Sequence, residues 1–210
     1  MKIAKRLIKA AILTLLVTAM AFCLCSCQGK PPALEEVQDI YTELIEGSYE
    51  INGILFGASM ATYSRDSEYA QKSGLYNNVP DGYYCYEFIS DENKYQTEDE
   101  IRERALEIYS RDYISSVLDS CFNGFMDEAG EAAVQPKYLT YMGKLMLNTE
   151  YEVYVKTERR YDCSTMEIVK PSNGKIVNVQ LDAADGETVE KVQLTFVLED
   201  GQWRLDSPTY

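Results

Sequence analysis

From Lys137 onward the residue pattern changes from helical to alternating, and this limits the fold more than any other feature of the chain. Tyr151, Val153 and Val155 alternate with Glu152, Tyr154 and Lys156, and Val177, Val179 and Leu181 with Asn178 and Gln180. Val192, Leu194, Phe196 and Leu198 alternate with Gln193 and Thr195, and Trp203 and Leu205 with Arg204 and Asp206. A period of two puts one set of side chains on one face of a strand. Breaks fall at Gly143-Lys144, Asn173-Gly174, Asp185-Gly186 and Asp200-Gly201. Asn-Gly and Asp-Gly favour tight hairpins, because both central residues adopt positive φ at little cost. The C-terminal half therefore reads as an antiparallel meander with one buried face.

The preceding residues read as helices. In 34–57, Val37, Ile40, Tyr41, Leu44, Ile45, Ile51 and Leu55 recur at three- and four-residue spacing, with Gly47 and Gly53 against the pattern and Gly57 as its stop. Residues 58–82 are polar and rich in turn formers, which predicts a long irregular loop. The aromatic run 83–89, "YYCYEFI", predicts a strand. Thr97 and Glu100 have the spacing of a capping box, in which each side chain satisfies the other's free helix-end amide, and the helix behind them runs to about Tyr109. A second helix is expected from about Asp112 to Asn123, closed by Gly124, with Tyr113, Ile114, Val117, Leu118, Cys121 and Phe122 on its apolar stripe. Helices first and strands second define an α+β class, with N-terminal helices packed on a curved antiparallel meander sheet.

The first residues have a separate logic. Lys2, Lys5, Arg6 and Lys9 precede an apolar run from Ala10 to about Leu24, the order of a secretory leader. The run is about 15 residues, short of the roughly 20 needed to span a bilayer. It ends in Leu24-Cys25-Ser26-Cys27, which resembles the lipobox of bacterial lipoproteins. That resemblance implies a signal peptide over residues 1–26, a diacylated Cys27 as mature N-terminus, and attachment to the outer face of the cytoplasmic membrane. A chain in which Cys27→Ala blocks processing is expected to lose its lipid label, and a variant still acylated would overturn the assignment. Residues 27–33 then form the lipidated N-terminus and a short linker, whose six residues after Cys27 reach about 20 Å when extended. Residues 34–210 form one domain.

Removing the four cations of the leader from the 20 Lys and Arg, while keeping all 34 Asp and Glu, gives a mature charge of −18. Such a field repels nucleic acid and anionic lipid, keeps an exposed domain soluble, and attracts a cationic protein patch. The chain has no histidine. That removes Ser-His-Asp and Cys-His catalysis, histidine zinc sites and haem ligation. Besides Cys27, the mature chain keeps Cys85, Cys121 and Cys163, whose spacing matches no metal knuckle. One disulfide, such as Cys85–Cys163, is open to a protein outside the cytoplasm, whereas Cys121 falls in an apolar helical stripe and reads as a core thiol.

Helices on a curved antiparallel sheet resemble the NTF2-like and cystatin-like group. "EINGILFG" at 50–57, "KYQTEDEIRERALEIYSRDYISSVLDSCFNG" at 94–124 and "DGQWRLDSPTY" at 200–210 resemble Firmicutes extracytoplasmic lipoproteins and secreted proteins related to the IseA-type inhibitors of cell-wall DL-endopeptidases. The resemblance covers most of residues 34–210. Its motifs are structural, so no contact residue is carried over. It implies a non-enzymatic, membrane-anchored protein, without cofactor or metal, that binds and inhibits or regulates a cell-wall hydrolase. The alternative is a small-ligand or glycan-binding lipoprotein with a pocket between helices and sheet.

Two groups of residues are candidates for interaction. Asp91, Glu92, Glu98, Asp99 and Glu100 form the densest acidic run, although the last three also complement the positive end of the helix they begin. Tyr83, Tyr84, Tyr86 and Tyr95 could stack on sugars, or divide between core and cover. An acid beside a phenol, as in proton-transfer pockets, occurs at Tyr161-Asp162, where a solvated strand residue accounts for it. No catalytic residue is assigned.

Overall fold

The computed structural model describes residues 29–58, 60–126, 132–151 and 159–210. The leader, Cys27 and the alternating stretch 152–156 lie outside the described residues. The architecture is α+β, with helices first and antiparallel sheets after them.

Helix α1 (Leu34–Leu55) buries Val37, Tyr41, Leu44, Ile45, Ile51 and Leu55, and turns Asp39, Glu43, Glu46 and Glu50 to solvent. It stops two residues before the expected Gly57, where the amides of Phe56 and Gly57 both donate to Asn52 O. A helix end leaves carbonyls without partners. Here side chains from later elements supply donors. Tyr138 Oη donates to Ile54 O at 2.8 Å, Cys121 Sγ to Leu55 O at 3.5 Å, and Lys137 Nζ to Gly57 O at 2.6 Å.

Residues 58–82 are not the irregular loop that composition predicts. They contain α2 (Glu68–Ser73), capped by Ser67, whose Oγ accepts from Ala70 N, and a 3-10 turn at Asp81–Tyr83. Leu75, Tyr76 and Val79 pack on a second small core of Cys85, Tyr86, Phe88 and Met146. Arg65 fastens this lobe, donating from Nη2 to Tyr83 O and Tyr86 O while its guanidinium lies 4.3 Å from the Tyr76 ring centre. Its apolar residues show no period, so the sequence conceals them. The 3-10 turn also shortens the strand expected at 83–89 to β1 (Tyr86–Phe88).

The next two helices follow expectation. α3 (Glu98–Ile108) has the reciprocal cap: Thr97 Oγ1 accepts from Glu100 N at 3.2 Å, and Glu100 Oε2 from Thr97 N at 3.0 Å. α4 (Arg111–Asn123) starts one residue early, on Ser110, and buries Ile114, Leu118, Cys121 and Phe122. It ends at Gly124, with φ 67°, where a Cβ would stand 2.3 Å from Val134 O, so only glycine fits this turn.

The single meander divides. β2 (Phe125–Met126) pairs with β3 (Ala132–Val134). β4 (Tyr138–Tyr141) and β5 (Lys144–Asn148) form a hairpin whose outer partner is β1, giving the order β1-β5-β4. β6 (Arg160–Val169), β7 (Ile176–Asp185), β8 (Thr188–Glu199) and β9 (Gln202–Leu205) form a four-stranded sheet in chain order. Asp200-Gly201 is the expected two-residue turn, with φ 50° and 81°. The first hairpin turns at Met142-Gly143 and the third at Gly186-Glu187, each one residue from its expected place. Asn173-Gly174 is no tight hairpin, since β6 ends at Val169 and β7 begins at Ile176, and Asn173 Oδ1 accepts from the amides of Lys175 and Ile176.

Val177, Val179, Leu181, Leu194 and Phe196 face α1, and all are buried. Tyr41 stacks on Phe196 with ring centres 3.8 Å apart and meets Trp203 edge-on at 5.5 Å. The C-terminal tail closes this core through a buried polar knot. Tyr109 Oη donates to Asn52 Oδ1, Asn52 Nδ2 to Thr209 Oγ1, and Thr209 Oγ1 to Ser48 Oγ. Cys85, Cys121 and Cys163 are free thiols, so the Cys85–Cys163 disulfide is not formed. Cys121 is buried as expected, and burial pushes its thiol up to about 11.

Candidate functional site

The site begins at Gly47. It has no side chain, and a Cβ there would lie 2.6 Å from Ile108 Cδ1 and 2.8 Å from Arg104 Nη2 of α3. α3 therefore lies close along α1, and beside the contact the two helices and the β8–β9 turn leave an open groove of about 740 Å³. Leu44 and Ile108 are buried at its base, while Trp203 is half-buried and Ile40 is 41% exposed. Glu43 and Glu46 of α1 and Glu107 of α3 stand along it. A shallower recess continues past Arg104 to Glu103, Glu100, Tyr95 and Lys94.

Arg104 and Lys94 pair with carboxylates here, whereas Arg204 bonds only to neutral oxygens and keeps its charge. Arg104 Nη1 donates to Glu107 at 2.9 Å, a hydrogen bond that raises the guanidinium pKa above its ordinary value, and Glu50 lies 4.0 Å from Arg104 Nε. Arg204 Nε donates to Leu106 O. Lys94 Nζ donates to Glu50 at 2.8 Å and Tyr95 Oη donates to the same carboxylate at 3.1 Å. Burial works against the charged form of Glu50, but these hydrogen bonds outweigh it and hold its pKa below the ordinary value. Among the described residues Glu43, Glu46 and Glu103 carry no ion pair. The result is an apolar-floored groove whose α1 wall carries the unpaired acids Glu43 and Glu46, with Glu103 unpaired in the adjoining recess.

The residues expected from sequence disperse around this groove. Asp91 and Glu92 are exposed on the turn after β1, and their amides donate to Tyr63 Oη and Ser90 Oγ. Glu98 pairs with Arg102 at 2.7 Å on the far side of α3, where that guanidinium covers Phe122. Asp99 is exposed. Glu100 serves the helix cap: backbone donation from Gln96 and Thr97 holds its carboxyl below the ordinary pKa, and it also edges the recess. The tyrosines form no stacking platform. Tyr86 and Tyr95 are buried, Tyr83 is half-buried against Tyr86 and Tyr141, and Tyr84 alone of the four is exposed, at 67%. Asp162 is exposed and accepts from Ser164, as a solvated strand residue should.

Ile40 is expected on the buried stripe of the first helix but is exposed beside the groove, Trp203 reads only as an alternating strand residue, and Glu43, Glu46, Glu103 and Glu107 were not singled out from the sequence. A signal existed: Asp39, Glu43, Glu46 and Glu50 repeat at helical spacing on the solvent face of α1. Which helix would face them was not readable. A second recess, of about 300 Å³, lies at the other end of α1 between Leu55, Phe56, Val117, Phe125 and Tyr210.

Among the described residues no group of three or more His, Cys, Asp or Glu could hold a metal ion. No described helix is long and apolar enough to cross a membrane. No family model matches the chain, and no curated protein matches it.

Proposed function

We propose that this is a non-enzymatic extracytoplasmic lipoprotein, anchored through Cys27, that binds and inhibits or regulates a cell-wall DL-endopeptidase. One observation carries the binding role: the space between α1 and the four-stranded sheet is filled by Tyr41, Phe196 and their neighbours, while the outward side of α1 and α3 holds an open groove with the unpaired acids Glu43 and Glu46 on its α1 wall. A protein built this way meets a partner on its surface, and an acidic surface speeds encounter with a cationic one. The hydrolase assignment rests on the resemblance of residues 50–57, 94–124 and 200–210 described above. With a linker of about 20 Å the domain reaches targets close to the membrane.

The test is peptidoglycan digestion by purified NlpC/P60-type hydrolases with and without the mature protein in excess. Digestion is expected to slow, and to slow less as salt is raised. Unchanged digestion at low salt would overturn the hydrolase assignment.

The small-ligand reading has its own observation in the recess by Phe56 and Tyr210, which is apolar and near the lower size of a ligand site. Its test is a polarity-sensitive apolar dye. Saturable binding that Val117→Trp abolishes would favour that reading.

A further inference from the structure

We propose that the α1–α3 groove is the docking site for a cationic polypeptide segment, one that carries Lys or Arg side chains around a single apolar residue. The inference rests on the binding role proposed above and names where and with what chemistry the partner is held.

Three features select this occupant. The α1 wall presents Glu43 and Glu46 without ion pairs, and Glu103 adds a third unpaired acid in the adjoining recess. Glu107 and Glu50 are paired with Arg104 and Lys94, and Arg204 is the single cation with no carboxylate partner among the residues that line the two. Three unpaired acids against one unpaired cation leave an excess of negative charge, which is complementary to a segment of opposite charge. Second, the floor is apolar. Ile40 and the half-buried Trp203 leave contact area for one aliphatic or aromatic side chain, the usual form of an interface anchor. Third, the dimensions suit a chain. The groove of about 740 Å³ and the recess beyond Arg104 share Arg104 and Glu107 in their lining, and an uncovered surface of this extent admits a segment that enters and leaves. A neutral glycan lacks the charge the walls select, and a nucleic acid or anionic lipid is repelled by them.

The experiment compares the mature protein with two charge-reversal variants. Glu43→Lys/Glu107→Lys alters the groove at two exposed positions. Asp185→Lys/Glu187→Lys alters the β7–β8 hairpin, separated from the β8–β9 turn by the twelve residues of β8, or about 35 Å. The probe is a fluorescent Lys/Arg-rich peptide carrying one Leu, with a Glu-rich peptide as its counterpart. Fluorescence anisotropy is read at low salt and at about 0.15 M salt. The basic peptide is expected to bind the parent protein and the hairpin variant alike, and the groove variant at least about tenfold more weakly. Ile40→Ser, which removes the apolar contact without changing the charge, is expected to weaken it as well. Equal weakening by both reversals would reduce the effect to net charge and overturn the proposal. So would undiminished binding to the groove variant, or equal binding of the Glu-rich peptide. Running the same variants in the digestion assay separates the two claims. Inhibition that survives the groove reversal removes the groove and leaves the hydrolase reading standing. Groove-dependent peptide binding with no effect on any hydrolase does the opposite.

Discussion

Phe196→Ala is expected to lower the unfolding free energy by about 3–5 kcal/mol, read by urea denaturation. Phe196 is fully buried on β8, opposite Val177 of β7 and under the ring of Tyr41. Truncation removes the transfer free energy of the ring and the stacked pair, and the surrounding residues collapse only in part. The variant should also gain something the parent lacks, an apolar space between α1 and the sheet that takes up xenon or benzene. This second readout bears on function. The filled interior is the reason for placing binding on the surface. A parent protein that already takes up such probes beside Phe196, or a variant destabilised by less than about 1 kcal/mol, would show that the interior is not closed and return weight to the pocket reading.

The parts of the fold that were legible in sequence are those fixed by local chemistry. The Thr97–Glu100 cap needs only residues that meet each other across one turn, and it forms as read. Asp200-Gly201 needs two residues able to take positive φ, and both do. The alternation of Val177, Val179 and Leu181 fixes which face of β7 is buried. What failed depends on distant partners. Nothing local says that Tyr86 will pair with Asn148 and so take β5 away from the later strands. Nothing local says that Leu75, Tyr76 and Val79 find a core on Phe88 and Met146 inside a segment of loop-like composition. β6 was read only at Asp162, as a solvated strand residue, and its extent was not legible because Ser164 and Thr165 stand where a simple strand would alternate and its register with β7 shifts between Asp162 and Glu167.

The groove shows the same division. Gly47 counted against a helix, because glycine lacks helix propensity. In the fold it is the point where α3 comes close enough to set its acids across from those of α1. The half of the site on each helix was readable as a charged stripe, and the charge surplus followed from composition. Only the packing of the two stripes turns a solvated surface into one with a floor, two walls and a sign.

Lys137 supplies the last test, because its stability contribution changes with pH in a way few surface groups can imitate. Its side chain is 3% exposed, and burial pushes its pKa down to about 8 from 10.5. Nζ donates to Gly57 O beyond the end of α1, and the rings of Tyr138 and Tyr151 and the thiol of Cys121 are the groups that face it. Below pH 8 the folded protein holds a charge that burial disfavours. Between pH 8 and 10.5 the unfolded chain keeps a proton that the folded state has released, so the unfolded state binds more protons and stability rises with pH through that window. For this shift the rise from pH 7 to 9.5 comes to about 2 kcal/mol. Lys137→Met keeps the length of the side chain and removes the titration, although it also leaves Gly57 O without its donor. The difference in unfolding free energy between parent and Lys137→Met should therefore move in favour of the parent by about 2 kcal/mol over that range, while contributions common to both cancel. A difference that stays flat from pH 7 to 9.5 would show that Lys137 reaches solvent and keeps its ordinary proton affinity, and that the end of α1 is not closed by a buried ammonium.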